Sequence, residues 1–201
     1  FRHDLQDVLA IVSGFRGALQ LLPAPGFVDT FQGQPEGGEP QQYWEAESWK
    51  KLKALNTDLW FGDQRCGQPD AQTLASAGWL WTEDAKAGAA PGLPLDYQSK
   101  SIYVFGVARS TPCGLRVEDR GGKRRLRMVS TTRGDGTVTW DSGRIGNIGS
   151  FYYLPAVHGD LLSSAGSFAA LGDLLMSGST ARLDPHPPTT RAATPGRPRR
   201  Y

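Results

Sequence analysis

The sequence predicts an α/β chain whose helical half comes first. Residues up to about 98 are tryptophan-rich and carry helix-spaced apolar positions, whereas the remainder alternates short β-rich runs with turns and one helix. The run Ser101 to Val107 (SIYVFGV) has so little polarity that it suits a strand covered on both faces, as in a parallel sheet. With 201 residues, 39% hydrophobic, and six Trp, eight Phe and six Tyr, the chain has the apolar surface for a buried core and is not a disordered polymer.

Taken in order, Asp4 is placed to cap a helix whose apolar positions Leu5, Val8, Val12, Phe15, Leu19 and Leu22 recur three or four apart. Gly14 and Gly17 weaken its middle, and Pro23 and Pro25 stop it. Residues 26–42 are rich in Gly, Pro and Gln and read as loop. From Tyr43 to about Lys86 lie five of the six tryptophans, Trp44, Trp49, Trp60, Trp79 and Trp81. Trp49, Leu52, Leu55 and Leu59 have helical spacing, and Gln72 to Ala77 predicts a second short helix. Such aromatic density builds a small helical core. It also permits a cap over an apolar substrate, with some rings lining the pocket. Residues 87–98 form another Gly/Pro loop.

After SIYVFGV, Leu115 to Glu118 and Leu126 to Thr131 flank Arg120-Gly121-Gly122-Lys123, a hairpin turn by its chemistry. Arg120, Lys123, Arg124, Arg125 and Arg127 cluster there and read as a charged, solvated edge rather than a phosphate site. Phe151 to Val157 (FYYLPAV) predicts a further strand. A helix from about Ser163 to Met176 follows, with Leu161, Phe168, Leu171, Leu174 and Leu175 as its apolar positions and Gly178 closing it. The organisation expected is therefore a helical region over 1–98, a strand-and-helix core over 99–180, and a Pro/Arg-rich tail or linker over 181–201.

The net charge of +2 is unevenly placed. From 182 to 201 the chain holds five Arg, one Asp and five Pro, which leaves −2 for the other 181 residues. That body generates no field of the kind that draws in nucleic acid, and the tail reads as a solvated extension. Cys66 and Cys113 stand 47 positions apart, with no disulfide framework or zinc spacing, and fit a reducing compartment such as the cytoplasm. The longest aliphatic run, Val8 to Val12, is far short of the roughly 20 residues a membrane span needs. The opening Phe1-Arg2-His3-Asp4 has neither an initiator Met nor the shape of a secretion signal, so the chain is expected to belong to a longer polypeptide with further domains.

The chemistry concentrates in Arg133-Gly134-Asp135-Gly136-Thr137-Val138 and in Tyr153-Leu154-Pro155-Ala156-Val157-His158-Gly159-Asp160. An aspartate between two glycines, directly after a β-rich run, sits where a strand breaks into a loop. The glycines permit backbone angles that other residues resist, so the carboxylate can be aimed across the sheet edge. Twenty-three residues later His158 follows a second strand in the same manner. Acid and imidazole are thus expected on loops at the same end of neighbouring strands, as an acid–His pair requires. Each part alone has a plain reading, Gly-Asp-Gly as a turn and the histidine as a structural or solvent-facing residue. The order Asp then His, each after a strand and with a helix behind, makes the catalytic reading competitive. Asp141 could replace Asp135, and Asp160 adjoins the histidine, but neither has flanking glycines.

These residues resemble the end of an α/β-hydrolase domain in the lecithin:cholesterol acyltransferase-like lipase family. Asp135-Gly136-Thr137-Val138 with His158 carries the likeness most specifically. Gly17-Ala18-Leu19-Gln20-Leu21-Leu22-Pro23 is similar to a segment in the cap region of bacterial members. Ile102 to Gly106 with Thr111-Pro112 is similar to the penultimate core strand and its following loop, and the helix after His158 to the last helix. The likeness spans about residues 5–178, is strongest over 131–160, and is vague in the Trp-rich stretch. It implies the C-terminal portion of an α/β-hydrolase fold with a helical, Trp-rich cap insertion, Asp135 as triad acid, His158 as general base, a lipid or other ester as substrate, and no metal or cofactor.

The family's nucleophile stands in a G-x-S-x-G elbow, and no such motif occurs here. Ser13-Gly14-Phe15-Arg16-Gly17 and Ser164-Ala165-Gly166-Ser167-Phe168 lack its glycine spacing and a preceding strand. The serine and both oxyanion donors are expected upstream of Phe1. The resemblance therefore implies part of a serine ester hydrolase or acyltransferase. Two alternatives stay open: a non-catalytic ligand- or partner-binding module of a multidomain bacterial protein, and a small α+β domain unrelated to either.

Overall fold

The structure, a computed structural model, describes residues 14–22, 43–55, 68–79, 94–144, 148–163 and 165–189. These combine helices and strands with a small parallel sheet, an α/β arrangement. The chain divides into two compact units, one of Phe1–Pro91 with Cys113–Val129, the other of Gly92–Pro112 with Ser130–Tyr201.

In the first unit, α1 (Arg16–Leu19), α2 (Ala46–Leu55) and α3 (Ala71–Ala77) are short helices. Asp70 starts α3, its carboxylate accepting the Thr73 N–H at 2.7 Å. Leu19, Leu74 and Ala77 form a buried cluster against which Trp44 and Trp49 pack, while the Trp49 indole N–H donates to the Tyr43 carbonyl at 2.8 Å. These two half-buried rings pack on the helical core that aromatic density predicts. Trp79 is largely exposed. Trp60, Trp81, Leu59, the first turns of the helix expected from Asp4, and the loop over 26–42 lie outside the described residues.

The hairpin strands β2 (Thr111–Arg120) and β3 (Lys123–Thr131) are longer than the apolar runs predict. Gly121 and Gly122 both have positive φ, +64° and +77°. That is the two-residue turn whose twist matches paired strands, so pairing extends outward from it through polar residues.

The second unit opens with a single turn, α4 (Leu95–Gln98), where the Gly/Pro composition predicts loop, and is built on β1 (Ile102–Gly106) and β4 (Ser150–Leu154), which pair in parallel with Ile102 opposite Ser150 and Gly106 opposite Leu154. Between them in the chain come the hairpin and the single turn α5 (Trp140–Gly143). Successive strand residues face opposite ways, and both faces are covered. Ile102, Val104, Tyr152 and Leu154 pack with Ala156, Leu161, Ala170, Leu171, Leu174 and Leu183, which brings α6 (Ala165–Ser177) against one face. On the other face Phe105 stacks on Tyr153 at 5.6 Å, and Trp140 meets Tyr153 edge-on at 4.9 Å. Pro155 follows the last residue of β4, and Gly178, at φ +73°, closes α6 by donating to the Leu174 carbonyl at 3.0 Å.

The composition of the C-terminal segment predicts a solvated extension, yet its first residues return to the sheet. Leu183 is buried and the Tyr153 N–H donates to the Asp184 carbonyl at 2.9 Å. No helix among the described residues is long and apolar enough to cross a membrane.

Leu174 is buried and its neighbour Leu175 is 87% exposed. Leu174→Ala is expected to cost about 2–5 kcal/mol in urea unfolding, and Leu175→Ala no more than about 0.5 kcal/mol. Equal costs would contradict this packing of α6.

Candidate active site

The parallel register brings the ends of β1 and β4 side by side, and the site is assembled there. The Val107 N–H donates to the carbonyls of Leu154 and Ala156, at 2.9 and 3.0 Å, binding the two exits together. Asp135 reaches this edge by an indirect route. In the chain it follows β3, but its bend is docked beside the end of β1, where the Ala108 N–H donates to the Gly134 carbonyl at 2.8 Å. The strand next to β4 is thus β1, and the acid arrives beside it after the hairpin excursion.

His158 opens a single 3₁₀ turn to Asp160, just beyond β4. Its backbone N–H donates to the Asp135 carbonyl at 2.8 Å, and its ring Nδ1 lies 2.8 Å from Asp135 Oδ2. The two residues predicted to act together are therefore joined by both main chain and side chain. The other Asp135 oxygen, Oδ1, accepts the N–H groups of Thr137 (2.9 Å) and Val138 (2.7 Å), and the Asp135 N–H donates to the Val138 carbonyl at 3.1 Å. This is the local turn chemistry of aspartate, closed on itself.

Burial alone would push the Asp135 carboxyl up. The Val138 N–H, the His158 ring and the Thr137 N–H outweigh it and hold the group below the usual carboxylate range. An ionised carboxylate only accepts hydrogen bonds, so Nδ1 must carry the proton, and the neutral ring keeps its lone pair on Nε2. Among the described residues Nε2 has no hydrogen-bond partner. The His158 side chain is half exposed, whereas that of Asp135 is only 10% exposed. The arrangement is a buried anion, bonded through both oxygens, behind a half-exposed imidazole, and the ring can accept a proton at Nε2 while the anion stabilises the resulting imidazolium.

The two rival acids are placed elsewhere. Asp141 pairs with Arg133 at 3.4 Å, and Asp160 is exposed at the end of the turn that His158 begins. The flanking glycines turn out to serve different needs. Gly136 has φ +98°, the left-handed region that favours glycine. Gly134 does not; there, an added Cβ would lie 2.6 Å from the Thr111 side chain and from the Val138 carbonyl. Gly106 is a second position with no room for a Cβ, which would come within 2.6 Å of Asp135 Cβ and 2.7 Å of the Ala156 carbonyl.

No protein-family model, curated protein or solved structure matches the chain.

Trp140 also supports the site, through a contact that its own segment of sequence does not signal. Trp140 is buried, its indole N–H donates to the Gly106 carbonyl at 2.8 Å, and its backbone N–H donates to the Arg133 carbonyl at 3.1 Å. It clamps the segment before Asp135 to the end of β1. Thr-x-x-Ser around it is legible as a helix cap, with Thr139 Oγ1 accepting the Ser142 N–H. The long-range indole bond has no local signal. Among the described residues no group of three His, Cys, Asp or Glu side chains could hold a metal ion.

The depressed Asp135 carboxyl sets a direction for acid stability. Its folded value lies below the unfolded one, about 3.9, so its contribution is complete above that pH and is lost as pH falls through the lower folded value. Asp135→Asn is expected to be less stable than wild type in urea from pH 5 upward, with the gap closing below about pH 4. A gap unchanged down to pH 2.5 would remove the ionised carboxylate from the balance.

Proposed function

We propose that Asp135 and His158 are the acid and base of a serine-dependent ester hydrolase or acyltransferase whose nucleophile lies upstream of Phe1. The observation that carries this reading is the 2.8 Å bond from His158 Nδ1 to a carboxylate already held by two main-chain N–H groups, with Nε2 left accessible. The resemblance of Asp135-Gly136-Thr137-Val138 and His158 to the lecithin:cholesterol acyltransferase-like lipases points the same way. So does the parallel pair β1 and β4, with acid and base beyond adjacent ends, which suits the C-terminal part of an α/β-hydrolase fold.

In this reading Nε2 of His158 takes the proton of a serine hydroxyl as its oxygen attacks the ester carbonyl. The Asp135 carboxylate stays ionised, keeps Nδ1 protonated, and offsets the positive charge that develops on the ring. The imidazolium returns its proton to the leaving alkoxide, which departs as an alcohol, and the acyl group remains on the serine. Water, or an acceptor alcohol, then attacks the acyl-enzyme with His158 again as base; the serine oxygen leaves the acyl carbon and takes back the proton from the ring. Substrates are lipid or other esters, and the Trp-rich stretch corresponds to the cap insertion that the resemblance implies.

In the full-length polypeptide, His158→Ala is expected to lower turnover of a short-chain p-nitrophenyl ester by about 10³-fold or more. Asp135→Asn is expected to be comparably severe, because it leaves the ring in the wrong tautomer. Unchanged hydrolysis by either folded variant would remove that residue from the mechanism. A full-length wild type with no G-x-S-x-G segment and no labelling by a fluorophosphonate would favour a non-catalytic binding module instead.

A further inference from the structure

Thr111 is wholly buried, yet it is polar and stands at the first position of β2. Its Oγ1 accepts the Gly136 N–H at 2.9 Å. The same side chain fills the space against Gly134, where a Cβ would meet Thr111 Oγ1 and Cγ2 at 2.6 Å each. Thr111 therefore seats the residues on both sides of Asp135, one by packing and the other by a hydrogen bond. Of the three N–H groups that follow the acid, those of Thr137 and Val138 go to Asp135 Oδ1, and that of Gly136 goes to Thr111. A valine would have the right volume and would leave the Gly136 N–H without its acceptor. An alanine would leave a gap as well.

We infer that Thr111 is a positioning residue for the acid–base pair: its hydroxyl fixes the Gly134–Gly136 bend so that Asp135 Oδ2 meets His158 Nδ1. The catalytic consequence rests on the hydrolase reading; the geometric one does not. The Thr111 hydroxyl bonds the residue after Asp135 and its side chain packs on the residue before it, so it acts through the orientation of the carboxylate. Loss of its hydroxyl therefore slows the chemical step and leaves substrate binding alone.

The test compares Thr111→Val with Thr111→Ser in the full-length polypeptide. Thr111→Val is expected to lower kcat for a short-chain ester about tenfold, the equivalent of one hydrogen bond, with KM unchanged. Thr111→Ser, which keeps the acceptor, is expected to restore most of it. In the same protein, amide exchange at Gly136 is expected to quicken in Thr111→Val and not in Thr111→Ser, while Ala170 and Leu174 in α6 stay protected as a check on folding. Wild-type kcat in a folded Thr111→Val, or a serine variant as slow as the valine one with Gly136 exchange unmoved, would overturn the inference. Absence of ester turnover in wild type would refute the hydrolase reading alone, and the Gly136 exchange would then decide the role of Thr111.

Discussion

Both oxygens of one buried carboxylate are committed before any substrate is considered. Asp135 Oδ1 holds the N–H groups of Thr137 and Val138, and Oδ2 holds the His158 ring. A partly buried anion is costly unless its acceptor sites are filled, and here the groups that fill them also fix an imidazole. The neighbouring features make this possible. Gly106 and Gly134 leave room for the bend, Gly136 supplies its positive φ, and Trp140 and Thr111 hold its two sides.

The parallel pairing of β1 and β4 is the larger frame for that bond. Parallel strands deliver their C-terminal ends to one edge, so two loops that leave there can converge without a long reach. In open α/β sheets such edges are where ligands bind. The bend with Asp135 does not leave β1 directly but returns to it after the β2–β3 hairpin, a detour the sheet tolerates because the Ala108 to Gly134 hydrogen bond closes it. The Asp135 carbonyl accepting the His158 N–H then ties the two exits together independently of either side chain.

Much of this was legible in the sequence because it is local. Gly-Asp-Gly marks a turn, SIYVFGV and FYYLPAV mark strands, Gly121-Gly122 marks a hairpin, and the alternation of elements marks an α/β chain. These signals depend on residues within a few positions of each other. What escaped depends on pairs far apart in the chain. Nothing around Thr111 announces that its hydroxyl meets an amide twenty-five residues on, and nothing around Trp140 announces Gly106 as its acceptor. Gly134 looked like a backbone requirement when its need is space, because the side chain that excludes a Cβ comes from another element. Composition likewise assigned the C-terminal segment to solvent, although a single leucine in it, Leu183, completes the core beside α6.

One proton between Asp135 and His158 defines the pair, and nuclear magnetic resonance of protein carrying ¹⁵N-labelled histidine observes that proton directly. In the neutral His158 ring a far-downfield resonance bonded to Nδ1 is expected, with Nε2 as the unprotonated nitrogen, and the signal is expected to vanish in Asp135→Asn. A neutral His158 ring protonated on Nε2, or one exchanging freely between tautomers in wild type, would contradict this pairing.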